Sequence, residues 1–404
     1  MLKHPVHDSV LLKVPVLASV AFVLYISSAA ADSSLEFSNY LRMSSTLDLT
    51  LSQNDNIHLI ENEPTASTIA KLQPRFSFER KTGLNQIKST YWGNYQNYLN
   101  SSADTRYDQS ISLDLDHAFR RFFSVKLNGE YQLLSEPRGS GYTKGNTQLP
   151  DAPDSYTRDL ISNTYTLGGD DAKGKLLLHL QRQGLNFTSR PEITSDRDYQ
   201  DTRATLTYYQ NFSIKTSALY EVQIASIAYT NLPSNSISKD SAINRYLTGM
   251  RWRYSALTTG TAKAGYAQRK FDASSRVGTE ILSWALELDW LPTELTRIQI
   301  KSFGHTDESS GYGDYKESKT LSIFGRYDLS KSSDLGLGLS VSRNTYPPTA
   351  ASETIAILDW WLDYQIRPGI TASFGANHAQ QDSNQIGFDF QRNEYRIQLR
   401  INPS

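Results

Sequence analysis

Apolar and polar residues alternate with a period of two along most of this chain, and no other property narrows the fold as far. Leu47, Leu49 and Leu51 alternate with Thr46, Asp48 and Thr50, and Ile111, Leu113 and Leu115 with Ser112, Asp114 and Asp116. Leu282, Trp284, Leu286, Leu288 and Trp290 share one face, with Ser283, Ala285, Glu287 and Asp289 on the other. Such a pattern sends the apolar side chains of a strand to one side and its polar ones to the opposite side. Segmenting on it gives about 18 strands, with 16 also open, mostly of about 10 to 16 residues. Strands of this length are long for a globular sheet, and roughly 9 to 11 residues already cross a bilayer at a tilt. Beyond residue 31 no run of about 18 apolar residues occurs, which excludes a helical membrane bundle.

The connections are of two kinds. Short turns are expected near Lys81 to Gly83, His117 to Arg121, Gly169 to Ala172, Gln210-Asn211, Ser255-Ala256, Leu291 to Glu294, Ser330 to Ser333 and Arg367 to Gly369. Longer polar stretches fall near 55 to 66, 100 to 106, 136 to 156, 188 to 198, 231 to 240, 272 to 278, 304 to 315, 345 to 351 and 380 to 386. Short periplasmic turns alternating with longer extracellular loops are the asymmetry of an outer-membrane barrel. The fold expected is therefore all-β, a transmembrane antiparallel up-and-down β-barrel over 44–404, with both termini in the periplasm.

The first residues agree. Lys3 and Lys13 precede an apolar stretch from Val14 to Ile26 and then Ala29-Ala30-Ala31, a secretory signal peptide with a small-residue cleavage site. The stretch is shorter than the roughly 20 residues a spanning helix needs. Cleavage after Ala31 leaves 373 residues, with 39 basic and 41 acidic ones, and 32–43 as a periplasmic N-terminal segment. Without a basic excess there is no electrostatic case for nucleic acid as a partner. The chain has no cysteine, so neither disulfides nor thiolate chemistry are available to it.

Tyr254, Trp290, Tyr327 and Tyr364 each end the apolar face of a strand just before a short turn, 36, 37 and 37 residues apart. Amphipathic rings settle at membrane interfaces, so this row is the candidate periplasmic girdle. In the last strand Tyr395, Ile397, Leu399 and Ile401 alternate with Arg396, Gln398 and Arg400. The chain then ends Asn402-Pro403-Ser404, without the terminal aromatic residue that the barrel-assembly machinery often recognises.

With the apolar set toward outer-membrane lipid, the lumen receives Asp48, Lys126, Glu130, Arg251, Arg253, Lys263, Arg269, Glu287, Asp289, Arg297, Lys301, Arg326, Asp359, Asp363, Arg396 and Arg400. An Arg or Lys facing lipid at mid-membrane costs on the order of 2 to 4 kcal/mol, so a set this large cannot face outward. For any one of them the plainer role is an ion pair between neighbouring strands. Trp361 shares this face with Asp359 and Asp363; such a ring either stacks on sugars or packs against the wall. A barrel of about 18 strands leaves an aqueous channel where about eight would be filled by side chains.

Catalytic motifs are missing from the sequence. His58, His117, His179, His305 and His378 are scattered, and none lies in an H-E-x-x-H or G-x-S-x-G setting. Asp359 and Asp363, four apart on a strand, stand roughly 13 Å from each other, too far for a carboxylate pair. No cofactor or metal is expected. The longest loop, Glu136 to Tyr156, carries Pro137, Pro150, Pro153, Gly139, Gly141 and Gly145, and the sequence does not decide whether it folds inward or stays outside.

Asp55-Asn56-Ile57, Asp198-Tyr199-Gln200, Ala264 to Asp272 (AGYAQRKFD) and Gly387 to Asn393 (GFDFQRN) occur in an order and spacing that resemble the putative beta-barrel porin 2 family, over nearly all of the mature chain. Members are frequently encoded with exopolysaccharide or capsule synthesis genes. The resemblance implies an export pore for a secreted polysaccharide, working with a periplasmic polysaccharide-export protein. Two other readings stay open: a general or solute-specific diffusion porin, and an outer-membrane enzyme acting on lipid or glycan.

Overall fold

The computed structural model describes residues 36–38, 41–146, 148–169, 172–233, 236–255 and 257–403. The expected signal peptide, most of the segment 32–43 and the side chain of Tyr254 lie outside the described residues. In chain order the first strands are β1 (Glu36–Ser38), β2 (Leu41–Asn54), β3 (Ser67–Thr82), β4 (Asn85–Tyr98), β5 (Arg106–Arg120), β6 (Phe123–Glu136) and β7 (Asp154–Leu167). They continue as β8 (Gly174–Phe187), β9 (Tyr199–Asn211), β10 (Thr216–Tyr229), β11 (Ser241–Ser255), β12 (Thr258–Phe271) and β13 (Thr279–Thr293). The last are β14 (Thr296–Asp307), β15 (Lys316–Ser330), β16 (Ser333–Thr345), β17 (Ser352–Arg367), β18 (Ile370–Ser383) and β19 (Phe390–Ile401).

Each of β2 to β19 pairs antiparallel with its sequence neighbours, and β19 pairs with β2 through Leu399↔Leu49 and Arg400↔Asp48. That last ladder closes an 18-strand barrel and removes the free edges that an open sheet would expose. An even number of strands brings Leu41 and Ile401 to the same end. There the connections are short; the opposite end carries 55–66, 99–105, 137–153, 188–198, 230–240, 272–278, 308–315, 346–351 and 384–389. Several strands run further toward the loops than their apolar pattern suggested: β14 continues to Asp307 and β18 to Ser383, because ladder bonds do not require an apolar face. The barrel begins at Leu41, which pairs with Arg80.

Turn chemistry follows the sequence. Between Arg367 and Ile370, Pro368 sets the first turn position and Gly369 takes φ +79°, the left-handed geometry a type II turn requires.

Alternation divides the wall into two faces. Leu335, Leu337, Leu339 and Val341 of β16 are 38 to 54% exposed, and Gly336, Gly338, Ser340 and Ser342 between them face inward. Trp290, Tyr327 and Tyr364 lie on the outer face just before the short turns, each about half exposed. One inner region departs from the expected polar lining. Near the loop end of β10–β12, Ala225, Ile227, Ile243 and Ala267 point inward and are buried, with Tyr199 and Tyr229 packed against the first three, and Leu219 and Leu247 are buried on the same inner face nearer the turn end. Side chains and loops fill the lumen there, so apolar residues are withdrawn from water on the inner face as well.

Candidate functional site

The loop 137–153 leaves β6 and returns to β7, but its middle reaches the wall at β17 and β18, seven strand positions away around the ring of 18. The question the sequence left open is thereby answered: the loop lies across the mouth. Three sets of contacts hold it there.

At its root, Arg138 forks onto Asp104, with Nε–Oδ1 at 2.8 Å and Nη2–Oδ2 at 2.5 Å, and donates to the Pro150 carbonyl at 3.0 Å. Asp104 also accepts from Ser101 Oγ at 2.6 Å and meets His58 Nε2 at 3.0 Å. Burial alone would raise the Asp104 carboxyl; the bonds from Arg138, His58 and Ser101 outweigh it and hold the group well below the usual carboxylate range. Gly139 passes so close to the 55–66 loop that a Cβ there would stand 1.9 Å from the His58 carbonyl oxygen.

At the far wall, Lys144 Nζ donates to Glu353 Oε2 at 2.5 Å and to Gln381 Oε1 at 3.1 Å, and sits 5.5 Å from the centre of the Phe388 ring. Glu353 is completed by Asn344 at 3.0 Å and Tyr346 at 2.7 Å; Gln381 donates onward to the Phe388 carbonyl at 2.6 Å. To one side, Tyr142 donates to Asp196, and Arg197 forks onto Glu136 at 2.7 and 2.8 Å with its guanidinium over Phe187 and Tyr142. Arg190 and Asp154 form a further pair at the start of β7. Burial and the neighbouring Asp196 carboxylate push the Tyr142 hydroxyl up. Asp104 and Glu353 are nearly enclosed and met by three partners each, the arrangement a buried ion pair needs to offset its lost hydration.

Most residues expected to line the lumen lie nearer the turn end. Lys126 pairs with Asp116 at 2.7 Å, Arg297 with Asp289 at 3.1 Å, Arg326 with Asp334 at 2.5 Å and Arg400 with Asp48 at 2.8 Å, all between adjacent strands. Two pairs span an intervening strand. Arg396 forks onto Asp359 at 2.8 and 3.0 Å, crossing β18 over Gly375, and Lys263 reaches Glu221 at 2.6 Å across β11. Glu130 accepts from Gln132, and Asp363 from Ser373. Arg251 lies over the Tyr209 ring at 4.3 Å and reaches Ser217 only at 3.5 Å. Arg253, Glu287 and Lys301 are exposed and make no salt bridge or side-chain hydrogen bond among the described residues, although Glu287 and Lys301 stand opposite each other on β13 and β14.

Two residues behave differently from the expectation. Arg269 points inward but is 1% exposed, enclosed with Glu308 at 2.7 Å between Phe271 and Tyr315, so it does not line an accessible lumen. Burial raises the carboxyl of Glu308. Trp361 stacks on Phe324 at 5.3 Å and lies over Gly336, packed on the wall rather than projecting from it.

Loop residues His58, Asp104, Arg138, Lys144 and Arg197 were not singled out by sequence. The only signal near them was the proline and glycine content of 136–156, which marks an ordered loop but not the partners it finds.

The lumen near the turn end includes a cavity of about 420 Å³ lined by Lys88, Asp114, Asp116, Lys126, Asn128 and Ser162. A second of about 470 Å³ opens at the mouth beside the closing seam, among Asp55, Asn56, Glu61, Asp382, Asp389 and Phe390. Ser101, Asp104 and His58 do meet, but in the wrong order for nucleophilic catalysis. The hydroxyl donates to the carboxylate instead of the imidazole, and Arg138 occupies both carboxylate oxygens. Among the described residues no cluster of three or more His, Cys, Asp or Glu is placed to hold a metal ion.

A family model described as putative beta-barrel porin 2 matches residues 41–402. No curated protein sequence matches the chain. Among solved structures, OpdK of Pseudomonas aeruginosa with vanillate is similar at a TM-score of 0.51 and 12% identity, over 89% of this chain and 98% of that one. A further structure of the same porin, as OccK1, gives 0.50 at 10% identity, over 90% and 98%. The FrpB iron transporter of Neisseria meningitidis gives 0.50 at 10% identity, over 88% of this chain and 63% of its own. At these identities the likeness is one of fold.

Proposed function

The chain belongs to the putative beta-barrel porin 2 family, an outer-membrane β-barrel, and from that premise we propose that it is a non-enzymatic diffusion channel selective for small polar solutes. The observation that carries this reading is the tie of Lys144 to Glu353 and Gln381, which stretches the loop 137–153 across the mouth. A strand count of 18 is wide enough for water, and the loop then sets the size of what passes.

The turn-end pairs at Lys126, Arg297, Arg326, Arg396 and Arg400 serve in this proposal as a hydrated lining that is largely neutralised. Among the described residues Arg251 and Arg253 make no ion pair and stand opposite Ser217, Thr261 and Thr259 in the ladder, so they add positive potential to the path, which favours anions over cations. OpdK, whose structure holds the carboxylate vanillate, has a fold of this kind, and passage of a small organic anion fits the same lining. Trp290, Tyr327 and Tyr364 serve as the interfacial girdle of the turn end.

Export of an exopolysaccharide, the expectation drawn from the family resemblance, has no support in the comparisons or in the mouth geometry. A polymer chain would have to displace a loop held by several buried ion pairs.

Single-channel recording of the refolded protein in a planar bilayer tests the proposal. Small, well-resolved steps with a reversal potential on the anion side are expected. A barrel that stays silent even after removal of the loop 138–152 would overturn it.

A further inference from the structure

On the outer face of β15 and β16, Lys319 and Arg343 stand directly opposite each other in the ladder. Both side chains are exposed, and each is the next outward residue beyond the apolar run, Leu321 and Ile323 on one strand, Val341 and Leu339 on the other. Neither has an ion-pair partner among the described residues. Thr354 faces Arg343 from β17, and the first carboxylate along that row, Asp382, is a strand further on, already accepting from Gln380. Two like charges directly opposite on a pair of strands are unfavourable unless something neutralises them.

The height of the pair says where a neutralising group would come from. Eight residues separate Lys319 from Tyr327 of the aromatic row, and eight separate Arg343 from Leu335 at the turn end of the neighbouring strand. At roughly 3.4 Å per residue and a tilt of roughly 40°, eight residues span about 21 Å of height. An outward apolar band is roughly 25 Å tall, so the pair lies at the far interface, level with lipid headgroups. Trp284 marks the same level: it lies flat over Gly304, the residue opposite Lys319 on β14, and its Nε1 donates to Ser302. An amphipathic ring in that position is at home at an interface.

We propose that Lys319 and Arg343, with Trp284 beside them, form a docking site on the outside of the barrel for the phosphate of an outer-leaflet lipid headgroup. Arg343 presents a planar fork and Lys319 a compact ammonium to one phosphate between them, and Trp284 packs on the lipid beneath. The site is independent of what passes through the lumen.

Native mass spectrometry of the full chain in mild detergent, titrated with bis-phosphorylated lipid A and with its dephosphorylated form, tests it. The protein should bind the phosphorylated lipid at least tenfold more tightly, and the double variant K319Q/R343Q should lose that preference with its β-type circular dichroism unchanged. Lys270→Gln, on the same outer face but diagonal to Glu280, should keep the preference. Equal binding of the two lipids by the unmodified protein, or an undiminished preference in the double variant, overturns the proposal. So does full displacement of the lipid by millimolar inorganic phosphate, which would make free phosphate the ligand.

Discussion

At the turn end, Arg297 and Asp289 stand 3.1 Å apart with 55% and 41% of their side chains exposed; at the loop end, Arg138 and Asp104 are 2.5 Å apart with 11% and 5% exposed. The residue types are the same and the surroundings differ. Charges facing a hydrated lumen keep most of their solvation and gain little from each other, about 0–1 kcal/mol per pair. Charges enclosed by loops have given that solvation up, and the Asp104 carboxylate depends on its partners to offset the loss. One half of the lumen is thus lined by ion pairs, and at the other they hold a loop across the mouth.

The largest expected effect comes from deleting the loop at the mouth. Replacing 138–152 by a short Gly-Ser linker should raise single-channel conductance severalfold, because the mouth becomes as wide as the turn end. An unchanged conductance would place the constriction elsewhere and remove the contrast between the two ends.

Next come the pairs themselves. Arg138→Ala strands a buried Asp104 carboxylate and should loosen the docked loop by ~3–5 kcal/mol, whereas Arg297→Ala should cost ~1 kcal/mol or less. Amide hydrogen exchange along 137–153 reports the first, and urea unfolding of the barrel the second. Equal costs for the two substitutions would mean that burial does not separate these pairs.

Acid should act on the same contrast. Asp104 is held well below its usual carboxylate range, so it contributes stability to the docked loop that is fully present above its unfolded value near ~3.9. That contribution is lost as pH falls below ~4 toward the folded value, and not between pH 8 and pH 5. Conductance through this latch should therefore be flat over the neutral range and rise below about pH 4. In Asp104→Asn the rise below pH 4 should be lost, with the loop already loosened at neutral pH.

The two ends also differ in how far the sequence disclosed them. Leu335 to Val341 and Leu282 to Trp290 carried the strand pattern openly, since a strand facing lipid on one side has to alternate, and the short turns follow from residues such as Pro368 and Gly369. A strand number of about 18, with 16 still open, follows from that pattern, and the β19–β2 ladder settles the count at 18. Lys144 carried no such mark: its partners Glu353 and Gln381 lie 209 and 237 residues away, and nothing local to 137–153 records them. Arg269 misled for a related reason. Its inward direction was legible from alternation, but its enclosure depends on Glu308 and Tyr315, supplied by a loop two strands on. Direction is a local property of a strand; enclosure is a property of what the loops bring over it.

The smallest effect concerns the charges that neither lining nor latch uses. Arg253 and Lys301 are exposed on the inner face and make no salt bridge among the described residues, although Glu287 stands opposite Lys301, so both add positive potential to a hydrated stretch without tying the wall together. R253Q/K301Q should leave stability and conductance within about half a kcal/mol and a small fraction of their starting values, as expected for surface positions. It should lower the anion-to-cation permeability ratio about twofold, read from the reversal potential under a salt gradient, and the change should shrink at high ionic strength as screening shortens to about 3 Å at 1 M. The comparison sharpens if Lys144→Gln shows the opposite profile, a change in conductance with little change in selectivity. Its charge is spent on Glu353 and adds no net potential to the path. A selectivity change as large in K144Q as in R253Q/K301Q would mean that the mouth, and not the turn-end lumen, selects among ions.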